Sequence, residues 1–310
     1  MQKNNSINIC LSSDNNYIQH LAVTIASILK NKAEDDSFSF IILDGGITDE
    51  NKEKIIALKS ICDFDIEFVT VDNSLFVKCP IQDWTHLSIV GYYRLVLPDI
   101  KPEWDKIIYL DCDIIVRDSL KELFNLDIGD CYIASVTDIS SKKHAKRLGL
   151  KSYSNSGVLL INSKKWREDN VTDKLFKWID ENNEKIVLHD QDILNAAIND
   201  KIKPLDSKWN TLYLTRSLAE DREKLENAKI IHFIDKKKPW LFYSGDKFAG
   251  EYLYYLGFTP FKGFLKTYKK KIVPVSLIKR FLKLIFEIRN IDDNTKLITI
   301  LGLKFKKKRG

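Results

Sequence analysis

The chain contains no CxxC pair, no internal repeat, no Gly/Ser-rich linker and no uncharged run near the roughly 18 residues of a membrane-spanning helix. Its five cysteines, Cys10, Cys62, Cys79, Cys112 and Cys131, are odd in number and widely spread. That pattern argues against a disulfide framework or a zinc site and fits reduced, mostly buried thiols. The opening MQKNNSINIC is polar and has no apolar segment of signal-peptide length, so the protein is expected to be made and kept in the cytoplasm. No helix-turn-helix, finger or RNA-binding signature accompanies its basic segments, and nucleic acid is not an expected partner.

What is there is ample core material: 310 residues, 44% of them hydrophobic and 11% aromatic, enough for one large or two ordinary domains. Charge is divided unevenly. Residues 261–310 hold 15 Lys and Arg against Glu287, Asp292 and Asp293, a net +12, so with +6 overall the first 260 residues carry −6. A basic tail on an acidic body suggests two jobs, the tail preferring anionic surfaces.

INICLSS and FSFIILDGG are β-rich runs on either side of YIQHLAVTIASILKN, whose Leu21, Ile25, Ile28 and Leu29 fall at helical spacing. A second helix is predicted from Asp49, followed by strands at DIEFVTV, KIIYLD (106–111), CYIASV (131–136) and GVLLIN (157–162). Strands alternating with helices predict an α/β protein with a mainly parallel sheet covered on both faces. The second half is less regular, with helices at VTDKLFKWIDENN and QDILNAAIND and a short strand at KIIHF. Beyond Pro260, SLIKRFLKLIFEIR reads as a helix from Ser276, with Lys279, Arg280, Lys283 and Glu287 on one face and Ile278, Phe281, Leu282, Ile285 and Ile288 on the other. Such a helix either packs its apolar face on the body or lies in a membrane interface, and the basic surroundings favour the interface.

Ligands of parallel sheets bind beyond the carboxyl ends of the strands, which singles out Ser12 to Asn16, Asp111 to Asp113 and Asp138. Aspartate there is ordinarily a turn residue. Two aspartates at i and i+2, as in YLDCDIIV, can also converge on one hard divalent cation and leave positions open for diphosphate oxygens. Strand alternation would turn the intervening Cys112 inward and both acids toward the crevice. HFIDKKKPW puts His232 at a strand end as a candidate third ligand, or else a hydrogen-bonded core histidine, with Lys238 following to meet phosphate charge. In LHDQDILN, Asp190 and Gln191 stand at a helix start, where capping by Asp190 is the plain alternative.

Taken in order, SSDNNY, LDGGIT, GYYRLVLPDI, IIYLDCDIIV, NSGVLLIN, HDQDILN, SKWN and HFIDKKKPW resemble the family 8 retaining glycosyltransferases, typified by lipopolysaccharide galactosyl- and glucosyltransferases and glycogenin. The resemblance spans about residues 7–260. It implies a glycosyltransferase-A fold that binds a UDP-hexose through Mn2+, with Mg2+ as the alternative ion. Asp111, Asp113 and His232 would then be the metal ligands, and Ser12, Asp14 and Asn16 would hold the nucleoside. Arg94 and Lys238 would face the diphosphate or sugar, while Asn155, Asp190 and Gln191 line the hexose and Asp138 adds a further sugar-contacting acid. The family is thought to retain configuration by front-face attack, which suits Gln191 as a stabilising or positioning group. The implied reaction moves galactose or glucose to a hydroxyl of a glycan or glycolipid, such as a lipopolysaccharide core, at the cytoplasmic face of a membrane. Asp235 stands where the family commonly has glycine, and its carboxylate could repel the diphosphate. The family segments stop near Pro260, so residues 1–260 read as the catalytic domain and 261–310 as a basic, membrane-associating extension. Competing readings are a nucleotidyltransferase of similar fold and a catalytically silent membrane or nucleic-acid binding module.

Overall fold

The computed structural model describes residues 6–81, 88–215, 221–292, 295–300 and 303–308. A seven-stranded sheet forms the centre, ordered β3-β2-β1-β4-β7-β6-β8. Its strands are β1 (Ile7–Ser13), β2 (Phe38–Asp44), β3 (Asp65–Thr70), β4 (Lys106–Leu110), β6 (Ile133–Ser135), β7 (Val158–Asn162) and β8 (Ile202–Pro204). Pairing is parallel from β3 through β2 and β1 to β4, whereas β7 runs antiparallel to both β4 and β6. Alternate residues of the central strands enter different cores: Ile9 and Leu11 pack on one side of the sheet, Cys10 and Tyr109 on the other. Both faces are covered, as the continuous apolar runs of β2 and β4 require.

A smaller sheet, β5 (Ile114–Val116), β10 (Ile230–His232) and β9 (Thr211–Leu212), lies beyond the end of β4. Strand β10 pairs antiparallel with β5, with His232 opposite Ile114, and Phe233 N–H donates to Asp113 O at 2.9 Å. This ladder carries His232 to the DCD segment across 119 residues of sequence separating it from Asp113.

The tail departs from the sequence expectation. Its helix runs Val273–Ile285, and Phe286–Asp292 is a strand, β11, paired with β12 (Thr295–Ile300), which pairs in turn with β13 (Leu303–Lys308). Glu287 and Ile288 therefore belong to a strand, consistent with the alternating, β-branched sequence from 286 onward. The side chains of Arg280, Lys283, Ile285, Glu287 and Ile288 lie outside the described residues. Packing continues past Pro260, because Phe261, Phe264 and Leu265 lie against the Lys247–Leu256 helix core and Tyr268 is buried.

Candidate active site

The site begins where β4 ends. Asp111 N–H donates to Gly157 O at 2.8 Å, extending the β4/β7 ladder by one rung and setting the NSG segment beside the acids. A ligand atom from each of Asp111, Asp113 and His232 lies within 4.8 Å of the others. His232 Nε2 is 3.1 Å from Asp113 Oδ1 and 3.7 Å from Asp111 Oδ2. Gly157 makes this approach feasible: a Cβ there would sit 2.2 Å from His232 Cε1 and 2.8 Å from Asp111 Oδ2. Cys112 is buried between the acids, with its thiol 3.2 Å from Ser12 O, as strand alternation predicts.

The hydrogen-bond network orients the imidazole. Gly157 N–H, which can only donate, reaches Asn155 Oδ1 at 3.0 Å. That oxygen also accepts from Asn210 Nδ2 at 2.8 Å, which leaves Asn210 Oδ1 facing His232 Nδ1 at 3.0 Å. Nδ1 therefore carries a proton, and Nε2 is the ring nitrogen turned to the two carboxylates. Asn210 is almost fully buried. Sequence reading placed it in the SKWN segment without assigning it a role; a lone amide between a buried tryptophan and a β-rich run was the signal available.

Electrostatics hold Asp113 ionised. Burial alone would raise the Asp113 pKa, but Lys238 and His232 outweigh it and keep the carboxyl far below the usual range. Lys238 Nζ lies 2.6 Å from Asp113 Oδ2 and donates to Phe233 O as well. Two residues on, Trp240 stacks on His20 with ring centroids 3.8 Å apart, and the His20 imidazole meets the Tyr252 hydroxyl at 2.6 Å. Burial drives the His20 pKa down to about 3, so this ring is a neutral packing element.

Arg94 is buried and joins Asp111 to the 190 region. Its guanidinium donates to Asp111 Oδ1 at 2.9 Å and to Ser156 O at 2.7 Å, and it pairs with Asp190 Oδ2 at 3.2 Å. It lies 4.2 Å from the Tyr109 ring centroid. Burial pushes Asp190 up to about 6, with Arg94 opposing that rise. Asp190 and Gln191 open the helix His189–Ala197, but no Asp190 side-chain cap is formed. Gln191 Oε1 accepts from Ser156 N–H at 3.1 Å and Asn155 Nδ2 at 3.2 Å, which turns its amide nitrogen to Asp138 Oδ2 at 3.4 Å. Asp138 Oδ2 also accepts from Asn155 Nδ2 at 3.2 Å, and its Oδ1 accepts from Ser140 N–H at 2.7 Å.

Nine residues singled out from the sequence thus form one connected cluster: Asp111, Asp113, His232, Lys238, Arg94, Asp190, Gln191, Asn155 and Asp138. Ser12 adjoins it through Cys112. Asp14 and Asn16 occupy the next turn, where Asp14 Oδ1 accepts the Asn16 and Tyr17 N–H groups at 2.9 and 3.0 Å. Asp235 is engaged locally, its carboxylate accepting from Thr215 N–H, Thr215 Oγ1 and Lys237 N–H.

Residues 8–243 match the family described as Glycosyl transferase family 8. General stress protein A of Bacillus subtilis is 31% identical over 276 residues, covering 84% of this chain and 96% of that protein. The lipopolysaccharide 1,2-glucosyltransferase of Escherichia coli is 30% identical over 256 residues, covering 77% of this chain and 75% of the relative. Among solved structures, the galactosyltransferase LgtC in complex with donor and acceptor sugar analogs superposes with a TM-score of 0.73 at 27% identity, covering 82% of this chain and 96% of that one. Its fold is glycosyltransferase-A, with the same parallel-dominated sheet. The match spans every strand that builds the cluster, and the chain belongs to glycosyltransferase family 8.

Proposed function

We propose that the protein is a retaining, manganese-dependent hexosyltransferase that moves galactose or glucose from a UDP-sugar to a hydroxyl of a glycan or glycolipid acceptor, such as a lipopolysaccharide core. The observation that supports this reading is the convergence of two carboxylates and an imidazole whose Nε2 is turned toward both of them, with Nδ1 held by Asn210. Two oxygens and one nitrogen suit a divalent ion such as Mn2+, with Mg2+ the less nitrogen-tolerant alternative. Asp111, Asp113 and His232 would hold the ion, which when bound would neutralise charge on the departing diphosphate.

The chain's own groups supply the rest. Lys238 brings a second positive charge to the same place, and charge developing on the leaving group is stabilised by groups already in position. Ser12, Asp14 and Asn16 line the crevice for the nucleoside. Asn155, Asp190, Gln191 and Asp138 form the hexose wall, and Arg94 locks that wall to Asp111. Gln191 is an amide with its oxygen held by the Ser156 N–H, which suits positioning and stabilisation of the sugar cation better than nucleophilic attack. Front-face attack then needs no covalent sugar intermediate. The names of relatives, a lipopolysaccharide glucosyltransferase and the galactosyltransferase LgtC, support a hexose donor and a glycan acceptor.

Residues 1–260 are assigned to catalysis and 261–310 to an extension that contacts an anionic membrane from its cytoplasmic side. Among the described residues no helix is long and apolar enough to cross a membrane; the attachment proposed is peripheral.

Thermal stabilisation should be larger with UDP plus Mn2+ than with UDP alone or with GDP, and UDP should be released from UDP-glucose or UDP-galactose. Absence of a manganese-dependent UDP shift would overturn the reading. Gln191→Ala should lower turnover strongly; near-normal turnover in that variant, with loss in Asp190→Asn, would move the central role to Asp190.

A further inference from the structure

The helix Ser141–Leu148 starts three residues after Asp138 and carries the sequence SKKHAKRL. At about 100° per residue, Lys142, Lys146 and Lys143 fall within an arc of about 100°, while Ser141, His144, Ala145 and Leu148 occupy the opposite side. Burial follows that division: Ala145 is buried, Ser141, His144 and Leu148 are half-buried, and the three lysines are exposed. Residues 139–152 contain Lys142, Lys143, Lys146, Arg147 and Lys151 and no acid. Arg147 is engaged, pairing with Asp192 at 2.5 Å and donating to Lys185 O. Lys142, Lys143, Lys146 and Lys151 have no ion-pair partner among the described residues.

This unneutralised charge stands out on a body whose first 260 residues sum to −6. It is also rigidly placed. Ser141 Oγ accepts from Tyr153 N–H at 3.0 Å, Gly149 closes the helix in a left-handed cap, and the Arg147–Asp192 pair ties it to the helix that bears Asp190 and Gln191. Asp138 belongs both to the Asn155–Gln191 cluster and to the turn that starts the helix, so the lysines follow the hexose wall directly. They stand on the β6 side of that wall, three places along the sheet from β1 and its nucleoside turn. In the proposed reading the donor's diphosphate would be met on its own side by Lys238 and by the divalent ion that Asp111, Asp113 and His232 would hold, which leaves the basic helix without a role in donor binding.

We propose that the Lys142, Lys143 and Lys146 face binds an anionic group, phosphate or its equivalent, on the acceptor glycan, so that the natural acceptor is a negatively charged saccharide. This rests on the glycosyl-transfer reading above. Exposed charges contribute modestly and are screened by salt, so the contribution should appear in acceptor affinity and in its ionic-strength dependence.

The test compares octyl hexosides with their 6-phosphates, both as acceptors for turnover and as ligands titrated into the full-length enzyme loaded with UDP and Mn2+. Acceptor-independent UDP release serves as the control for the glycosyltransferase reading itself. The phosphorylated member of each pair should bind about tenfold more tightly at low salt, the advantage shrinking below about threefold near 0.5 M salt. Lys142→Gln/Lys143→Gln/Lys146→Gln should erase that advantage while leaving acceptor-independent UDP release and thermal stability unchanged. Loss of UDP release in the wild type would count against the enzyme reading. Normal UDP release with no preference for the phosphorylated member, including failure of either member to bind, would overturn the anionic acceptor. A variant that keeps the preference but no longer pellets with phosphatidylglycerol vesicles would also overturn it, by assigning the lysines to lipid.

Discussion

Asn210 shows how one buried side chain can decide the chemistry of its neighbour. Its amide passes an orientation set by the Gly157 backbone N–H through Asn155 to His232, so that Nδ1 carries a proton. Groups in that outer position typically change metal affinity 10- to 100-fold. Asn210→Ala is expected to weaken Mn2+ binding by about that factor, measured by titration calorimetry, and to shift the His232 ring nitrogen signals in NMR toward a mixture of tautomers; unchanged affinity and signals would show the relay to be idle. Gly157→Ala should weaken metal binding more severely, because its Cβ would collide with His232 and Asp111. Cys112→Ser should spare metal binding, whereas Asp113→Asn should cripple it.

Asp190 adds a pH dependence with a definite sign. Its folded pKa of about 6 lies above the ordinary 3.8, chiefly through burial. Folding therefore favours the protonated form: the associated stability is fully present below pH 3.8 and is lost as pH rises through about 6. The change corresponds to roughly 3 kcal/mol. Denaturant unfolding of the wild type, referenced to Asp190→Asn, should show stability falling by up to about that amount between pH 4 and 7. A flat difference would show that Asp190 titrates at its ordinary value.

At the scale of elements, the site is assembled by two ladders, β4 with β7 and β5 with β10. The sequence exposed the ingredients of both: the apolar runs of β4 and β7 were visible as strands, and the acids at a strand end, with Cys112 between them, were placed on the correct sides by alternation alone. The His232–Asp113 pairing was not derivable from periodicity, because β5 and β10 are only three residues each and their register depends on the whole fold; ordered resemblance to a family supplied what local pattern could not. The tail strands are hidden for a related reason: Ser276 to Ile285 is strongly helical in pattern, and the alternation that follows continues it without a break.

The segment holding Lys238 depends on a different contact, the stack of Trp240 on His20. Trp240→Ala should free that segment, raising the KM for donor by about tenfold while metal affinity changes little, together with a stability loss of about 3 kcal/mol or more. Trp240→Phe, which restores a ring, should recover most of both. If the alanine variant instead lost metal and kept its donor KM, the stack would be supporting His232 rather than Lys238.

At the scale of the molecule, charge and packing divide the chain in related but not identical places. The family match ends at residue 243, the basic composition begins near 261, and burial continues to Ser276, whose Oγ accepts from Tyr243 N–H at 3.0 Å. On the helix beyond Ser276 the described side chains turn outward. Leu277, Ile278, Phe281 and Leu282 are 48%, 58%, 62% and 55% exposed, so the small, polar Ser276 faces the body while the apolar side of the helix faces away from it. A globular helix arranges itself the other way round. Leu303 and Phe305 on β13 add further exposed apolar surface beside exposed Lys304 and Lys306. Apolar side chains among lysines are the combination that binds an anionic lipid interface through burial and charge together. Replacing Leu277, Ile278, Phe281 and Leu282 by serine removes only exposed groups, so thermal stability and UDP release should be preserved while cosedimentation with phosphatidylglycerol vesicles falls at least about tenfold, given roughly 1.5–3 kcal/mol for each fully buried side chain. Raising salt should weaken the wild-type association in part, leaving the apolar share. A loss of thermal stability without any change in vesicle binding would place a protein surface against this helix instead of a lipid one.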